Sequence, residues 1–184
     1  EAGLESYMPE NYDEKFRGPV TFREALAQSI NVPSVKVLYL AGLTETLRVA
    51  KDLGITTLND PLRYGLTLVL GGGETPLLEL TEAYGVFAND GVRISPNDIL
   101  EVKSSHGTVL FSYEPKERRV IEPEIARTIT DILSDNEART PAFGSRSPLL
   151  FEGYSVAAKT GTTNNYRDAW TLGYSPNIAV GAWA

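Results

Sequence analysis

Helices first and an antiparallel sheet last: the order of patterns along the chain predicts an α+β fold. Three observations carry this. The first third of the chain holds apolar positions at helical spacing between cap signals. The middle carries two β-rich runs around a turn. The last part holds three short β-rich runs, the second and third joined by Ser175-Pro176-Asn177.

Thr21-Phe22-Arg23-Glu24 spells a capping box. The Thr21 hydroxyl takes one orphan backbone N–H and Glu24 reaches back to another, so a short helix is predicted from there to about Ser29. Asn31-Val32-Pro33 then opens a second helix, with Asn31 as the expected N-cap and Pro33 tolerated in the first turn. It stops at Gly42. A third helix starts at Thr44 and ends at Gly54. A fourth starts at Thr75-Pro76, with Leu77, Leu80, Tyr84 and Phe87 on one stripe, and ends at Asn89-Asp90-Gly91.

The middle changes character. "DILEVKSSHGTVLFSYEP" reads as a hairpin about Ser104-Ser105-His106-Gly107, with His106 an exposed turn residue. Pro123 opens another helix, with Ile125, Ile129, Ile132 and Leu133 expected on its buried face. The stretch "SDNEARTPAFGSRSP" is rich in Ser, Pro, Asn and Gly and reads as a loop. "GYSVAAKTGTT", "DAWTLGY" and "IAVGAWA" read as three strands. The organisation is therefore a mainly helical part at 1–92, a hairpin insert at 93–122, and a helix, loop and antiparallel strands at 123–184.

Composition narrows the function. The 184 residues are 42% hydrophobic and 22% charged, an ordinary globular balance. The net charge of −7 argues against a nucleic-acid surface or a polybasic membrane patch. With no cysteine, disulfides, thiol nucleophiles and thiolate metal sites are excluded. With one histidine, so are multi-histidine metal sites. No metal and no cofactor are expected. No apolar run is long enough to span a membrane and no signal peptide opens the chain. The chain begins at Glu1 without a methionine and stops inside an apolar run, so it is expected to be an excerpt of a longer protein.

The chemistry concentrates in "SVAAKTGTTNNYRDAW". On a strand Lys159 and Gly161 share one side, and Thr160 and Thr162 the other. A bare Gly161 lets another backbone approach, as in strand addition. Threonine hydroxyls beside such an edge suit a carboxylate, with Lys159 supplying positive charge. The segment suits an extended peptide with an anionic end.

Lys-Thr-Gly-Thr followed by Thr-Asn-Asn and Arg-Asp-Ala-Trp resembles the transpeptidase domain of class A (bifunctional) penicillin-binding proteins. "FRGPVTFREALAQSINVPSVKVLYLAG" and "LGGGETPLLELTEAYGVFANDG" are similar to the same family. The resemblance implies a fold like that of penicillin-binding proteins and serine β-lactamases, incomplete at both ends. Such enzymes use a Ser-x-x-Lys, a Ser-x-Asn and a Lys-Thr-Gly motif.

Two stretches spell Ser-x-Asn: Ser29-Ile30-Asn31 and Ser134-Asp135-Asn136. The second matches the β-lactamase spelling literally. It lies at a helix end, however, where Ser and Asn are favoured, and close before Lys159, whereas family members place a large segment between these motifs. Ser29 and Asn31, at a junction of two helices, are the expected pair. No Ser-x-x-Lys occurs in the chain, so the nucleophile is expected upstream and the excerpt alone is expected not to react with penicillin.

The resemblance implies these roles: Ser29, Asn31 and Lys159 catalytic, and Thr160, Gly161 and Thr162 holding substrate. Asn164, Asn165 and Tyr166 would rim the acceptor cleft. Arg167 and Asp168 read as a loop salt bridge or a turn. The implied activity is D-Ala-D-Ala transpeptidation of peptidoglycan stem peptides, with β-lactam antibiotics as acylating mimics. It would take place at the extracytoplasmic face of a bacterial plasma or inner membrane, with the anchor outside this excerpt. A D,D-carboxypeptidase or β-lactamase, or a noncatalytic peptidoglycan- or β-lactam-binding sensor, remain the alternatives. The Gly71-Gly72-Gly73 run is not a phosphate loop, since no Gly-Lys-Ser/Thr follows it.

Overall fold

A computed structural model describes residues 8–163 and 167–184. The first helices are α1 (Phe22–Ala27), α2 (Asn31–Ala41) and α3 (Leu43–Leu53). A 3-10 turn at Leu66–Leu70 precedes α4 (Leu77–Ala88). Strands β1 (Val92–Ile94), β2 (Glu101–Lys103), β3 (Val109–Ser112) and β4 (Glu117–Arg119) follow. Then come α5 (Pro123–Ser134) and α6 (Asn136–Phe143). The chain ends in β5 (Ala157–Thr162), β6 (Ala169–Ser175) and β7 (Ile178–Trp183).

The α+β reading holds. The sheet β5-β6-β7 is antiparallel throughout, with Lys159 opposite Leu172, Gly161 opposite Trp170, and Trp170 opposite Trp183. Strand β5 lies at its edge. Helix α4 packs across β6 and β7, and α5 against β5. Gly181 permits the first contact: a Cβ there would lie 2.1 Å from Oγ1 of Thr81 on α4. The core joins Leu133, Ala157 and Tyr174, with Leu26, Tyr84, Phe87 and Ile129 packed around them. The Tyr174 ring stacks on Phe87 and meets Tyr84 edge-on, and its hydroxyl bonds to Thr130 at 2.9 Å.

The middle strands form a ribbon away from this core. β1 pairs with β4 at its base and β2 with β3 at its tip, with a register shift after Val102. His106 lies exposed in the tip turn. Among the described residues no helix is long and apolar enough to cross a membrane.

Three local expectations are corrected. The stretch after α5 is not all loop, because Asn136–Phe143 is helical. Asp135 caps it by accepting from the Ala138 N–H at 2.8 Å, and Pro141 sits inside it at the loss of one backbone bond. Ile125 is 55% exposed, and Ala126, at 0%, takes the inward position instead. Asn31 is the first residue of α2, not its cap. The cap position is Ile30, and the Oδ1 of buried Asn11 takes the Val32 N–H at 3.0 Å.

Candidate active site

Helix α1 opens with the predicted capping box, Glu24 accepting from the Thr21 N–H at 2.8 Å and Thr21 Oγ1 from the Glu24 N–H at 3.2 Å. It closes in a Schellman pattern. The Ser29 N–H bonds back to Leu26 O at 3.2 Å and the Ile30 N–H to Ala25 O at 2.9 Å. In that pattern the residue after the cap adopts the left-handed conformation that glycine normally fills. Here Ser29 fills it, with φ of 57°. Buried Ile30 and Ala25 supply the apolar contact that accompanies the motif. The turn so formed leaves the Ser29 side chain exposed at the α1–α2 corner.

This corner is anchored to the helices behind the sheet. Arg23 binds Asp131 on α5 and, at 2.8 Å, Asp135 at the start of α6. Gln28 Nε2 donates to Ala138 O at 3.1 Å. These ties set the corner over β5. There Lys159 Nζ donates to Ser29 Oγ at 2.8 Å and to Thr160 O at 2.7 Å. Burial, and then the Arg139 guanidinium, pull the Lys159 amine down to about 8.

Beyond Lys159 the strand opens to solvent. Thr160 is half-buried, and Gly161 and Thr162 are exposed. A Cβ at 161 would meet only Trp170 Cβ, at an ordinary 3.6 Å. Packing inside the chain therefore does not explain the glycine. A clamp closes the strand end. The Thr163 N–H donates to Asp168 O at 3.1 Å and the Asp168 N–H to Thr163 Oγ1 at 3.0 Å, while the Asp168 carboxylate accepts from Thr163 Oγ1 at 2.8 Å and from Trp183 Nε1 at 3.0 Å. Asp168 thus serves a turn, and among the described residues no ion pair joins it to Arg167. Asn164, Asn165 and Tyr166 lie outside the described residues.

Ser29 and Lys159 meet; Asn31 turns another way, its Nδ2 donating to Glu10 O at 3.1 Å. Ser134 Oγ bonds to Thr130 O within its own helix, Asp135 caps α6, and Asn136 Nδ2 holds Ser145 O at 3.0 Å. The literal Ser-Asp-Asn is a helix junction. Arg139, 2% exposed on α6, is a neighbour of the site that sequence reading missed. The signal for it was the Asp135 cap before Glu137, overridden by the loop-like composition around Pro141.

The sequence profile of the penicillin-binding protein transpeptidase domain matches residues 4–181. The chain belongs to that family. The transpeptidase domain is 38% identical to penicillin-binding protein 1A of Aquifex aeolicus, over 97% of this chain and 24% of that protein. It is 32% identical to penicillin-binding protein 1A of Rickettsia bellii, over 98% and 25%. The chain thus spans about a quarter of the length of these curated relatives. Among solved structures, it overlays penicillin-binding protein 1A from Haemophilus influenzae with a TM-score of 0.84 at 24% identity, covering 100% of this chain and 32% of that one. For PonA1 from Mycobacterium tuberculosis the TM-score is 0.80 at 26% identity, covering 95% and 50%. PonA1 has also been solved in complex with penicillin V.

Proposed function

We propose that the chain is part of a serine-type D,D-transpeptidase that cross-links peptidoglycan stem peptides and is acylated by penicillins. The observation that carries this reading is the Ser29–Lys159 contact beside an edge strand with an open glycine. The attacking serine is supplied by the rest of the protein, since no Ser-x-x-Lys lies in these residues. That serine adds to the carbonyl between two D-alanines, and the terminal D-alanine leaves as an amine. The amine of a second stem then attacks the acyl-enzyme, restoring the serine.

In this scheme the stem peptide runs along β5 in its extended form. Thr160 and Thr162 hydroxyls hold its terminal carboxylate, and Gly161 leaves its backbone room. The Thr162 N–H gives one of two donors to the developing oxyanion. Ser29 passes the proton between the nucleophile's side, Lys159 and the leaving amine. Asn31 orients the loop at the same corner. The site works at the extracytoplasmic face of the membrane, held there by an anchor elsewhere in the protein.

Acylation of the full-length protein by fluorescent penicillin tests this. Ser29→Ala and Lys159→Ala each slow it by about a hundredfold or more. Acylation that survives both substitutions at the wild-type rate overturns the assignment.

A further inference from the structure

Asn11 is a buried polar side chain, 6% exposed, in a segment with no part in the scheme above. Both ends of its amide are spent. Nδ2 donates to Lys15 O at 2.6 Å, and Oδ1 accepts from the Val32 N–H at 3.0 Å. Its own carbonyl accepts from the Glu14 N–H at 2.9 Å. The bonds to Lys15 and Glu14 shape the local turn. The bond to Val32 leaves that turn and crosses to the start of α2. Asn31 crosses the same gap the other way, with Nδ2 on Glu10 O at 3.1 Å.

The sequence of α2 explains why its cap is borrowed. The first N–H groups of a helix have no partner inside it. A Ser, Thr, Asp or Asn at the cap position ordinarily supplies an acceptor. Here that position holds Ile30, 5% exposed, whose side chain has no acceptor and is committed to the apolar contact that closes α1. The acceptor comes instead from Asn11, 21 residues upstream.

The helices α1 and α2 are joined through Gln28, Ser29 and Ile30. Ser29 carries the strain of that junction, at φ 57°. A strained backbone persists only where its surroundings over-determine it. On the α1 side the ties are Arg23, to Asp131 and Asp135, and Gln28, to Ala138 O. On the α2 side they are Asn11 and Asn31. With the Val32 tie gone the start of α2 frays. Ser29 is then free to relax to an ordinary φ, which swings its hydroxyl away from Lys159 Nζ.

We propose that Asn11 is a positioning residue for the Ser29–Lys159 pair: by capping α2 from outside the helix it holds Ser29 in the left-handed conformation that sets Oγ 2.8 Å from Nζ. The inference rests on the reading of Ser29 and Lys159 as catalytic.

The test is a double-mutant cycle in the full-length protein, read as the rate of acylation by fluorescent penicillin. Asn11→Ala should slow acylation about tenfold, because a displaced hydroxyl is a poor relay. In a Ser29→Ala background the same change should alter the rate by less than about twofold, since no hydroxyl is left to place. Asn11→Asp keeps an acceptor for the Val32 N–H and suits a helix start, so its rate should stay within about threefold of wild type. Acylation of Asn11→Ala at the wild-type rate overturns the proposal. So does a loss that persists undiminished in Ser29→Ala, which means that Asn11 supports the domain at large. A loss in Asn11→Asp as deep as in alanine overturns it too, since the Lys15 bond and not the cap then matters. If the alanine variant does not fold, Asn11→Gln takes its place in the cycle: it keeps the amide and carries the oxygen one methylene past the Val32 N–H. Failure of the catalytic reading looks different, as acylation untouched by Ser29→Ala and Lys159→Ala.

Discussion

Ser29 Oγ accepts a hydrogen bond from Lys159 Nζ at 2.8 Å, although 130 residues separate the two in sequence. The contact is reached through a serine in a glycine conformation, φ 57°. A left-handed non-glycine residue costs about 1 kcal/mol relative to glycine. Ser29→Gly should therefore be more stable than Ser29→Ala by about 1 kcal/mol, since both lose the hydroxyl and only glycine relieves the backbone. Both should acylate about a hundredfold more slowly than wild type. Urea unfolding of the two variants checks the first statement and penicillin labelling the second. Equal stability of the two variants would refute the strain.

The Ser134-Asp135-Asn136 triplet should behave as structure. Among the described residues Ser134 Oγ bonds only within its own helix, so Ser134→Ala should leave acylation within about twofold and stability within about 0.5 kcal/mol. Asp135→Ala removes the α6 cap and one of the two carboxylate partners of Arg23, and should cost about 1–2 kcal/mol in urea unfolding. A large acylation defect in Ser134→Ala would move the second motif here.

The elements whose signals are local were legible in the sequence. The Thr21 box, the Gly54 and Asn89 helix ends, and the three closing strands needed only neighbouring residues to declare themselves. What escaped depends on distant partners. Asn31 lost the capping role because Asn11, far upstream, takes the Val32 N–H. The α6 helix was hidden by Pro141 and by flanking Ser and Gly, yet Asp135 and the Arg139 bonds hold it. Ser29 was found as a motif, but its left-handed backbone was not, because serine carries no signal for that conformation. In the candidate site the sequence named the residues; the 2.8 Å contact and the buried Arg139 came from the fold.

Asp168 should matter for order, not for chemistry. Its carboxylate ties Thr163, next to the substrate strand, to Trp183 on β7. Asp168→Ala strips these bonds and should cost about 1–3 kcal/mol. Acylation should fall with the loosened strand end, and the Trp183 emission should shift as its indole N–H loses the carboxylate. Asp168→Asn, which can still accept from the indole and bond to Thr163, should recover most of both signals. Loss in the asparagine variant as deep as in alanine would point to the charge and away from the clamp.

Lys159 should weaken the fold at neutral pH. Its folded value of about 8 lies below the unfolded value of about 10.4. Between the two the unfolded chain holds a proton that the folded chain does not, so this group makes stability rise with pH through that window. Below it the penalty is fully present; above it the penalty is gone. Lys159→Met removes the titrating amine and keeps an unbranched chain, so it should be more stable than wild type at pH 7 and lose that advantage as pH rises toward about 10. Acylation should be lost at every pH. Urea midpoints for both proteins across this range, followed by tryptophan emission, give the comparison. A stability difference that stays constant or widens with pH would show that Lys159 enters the fold with an ordinary lysine's proton affinity, and that its use in the site is as a fixed charge.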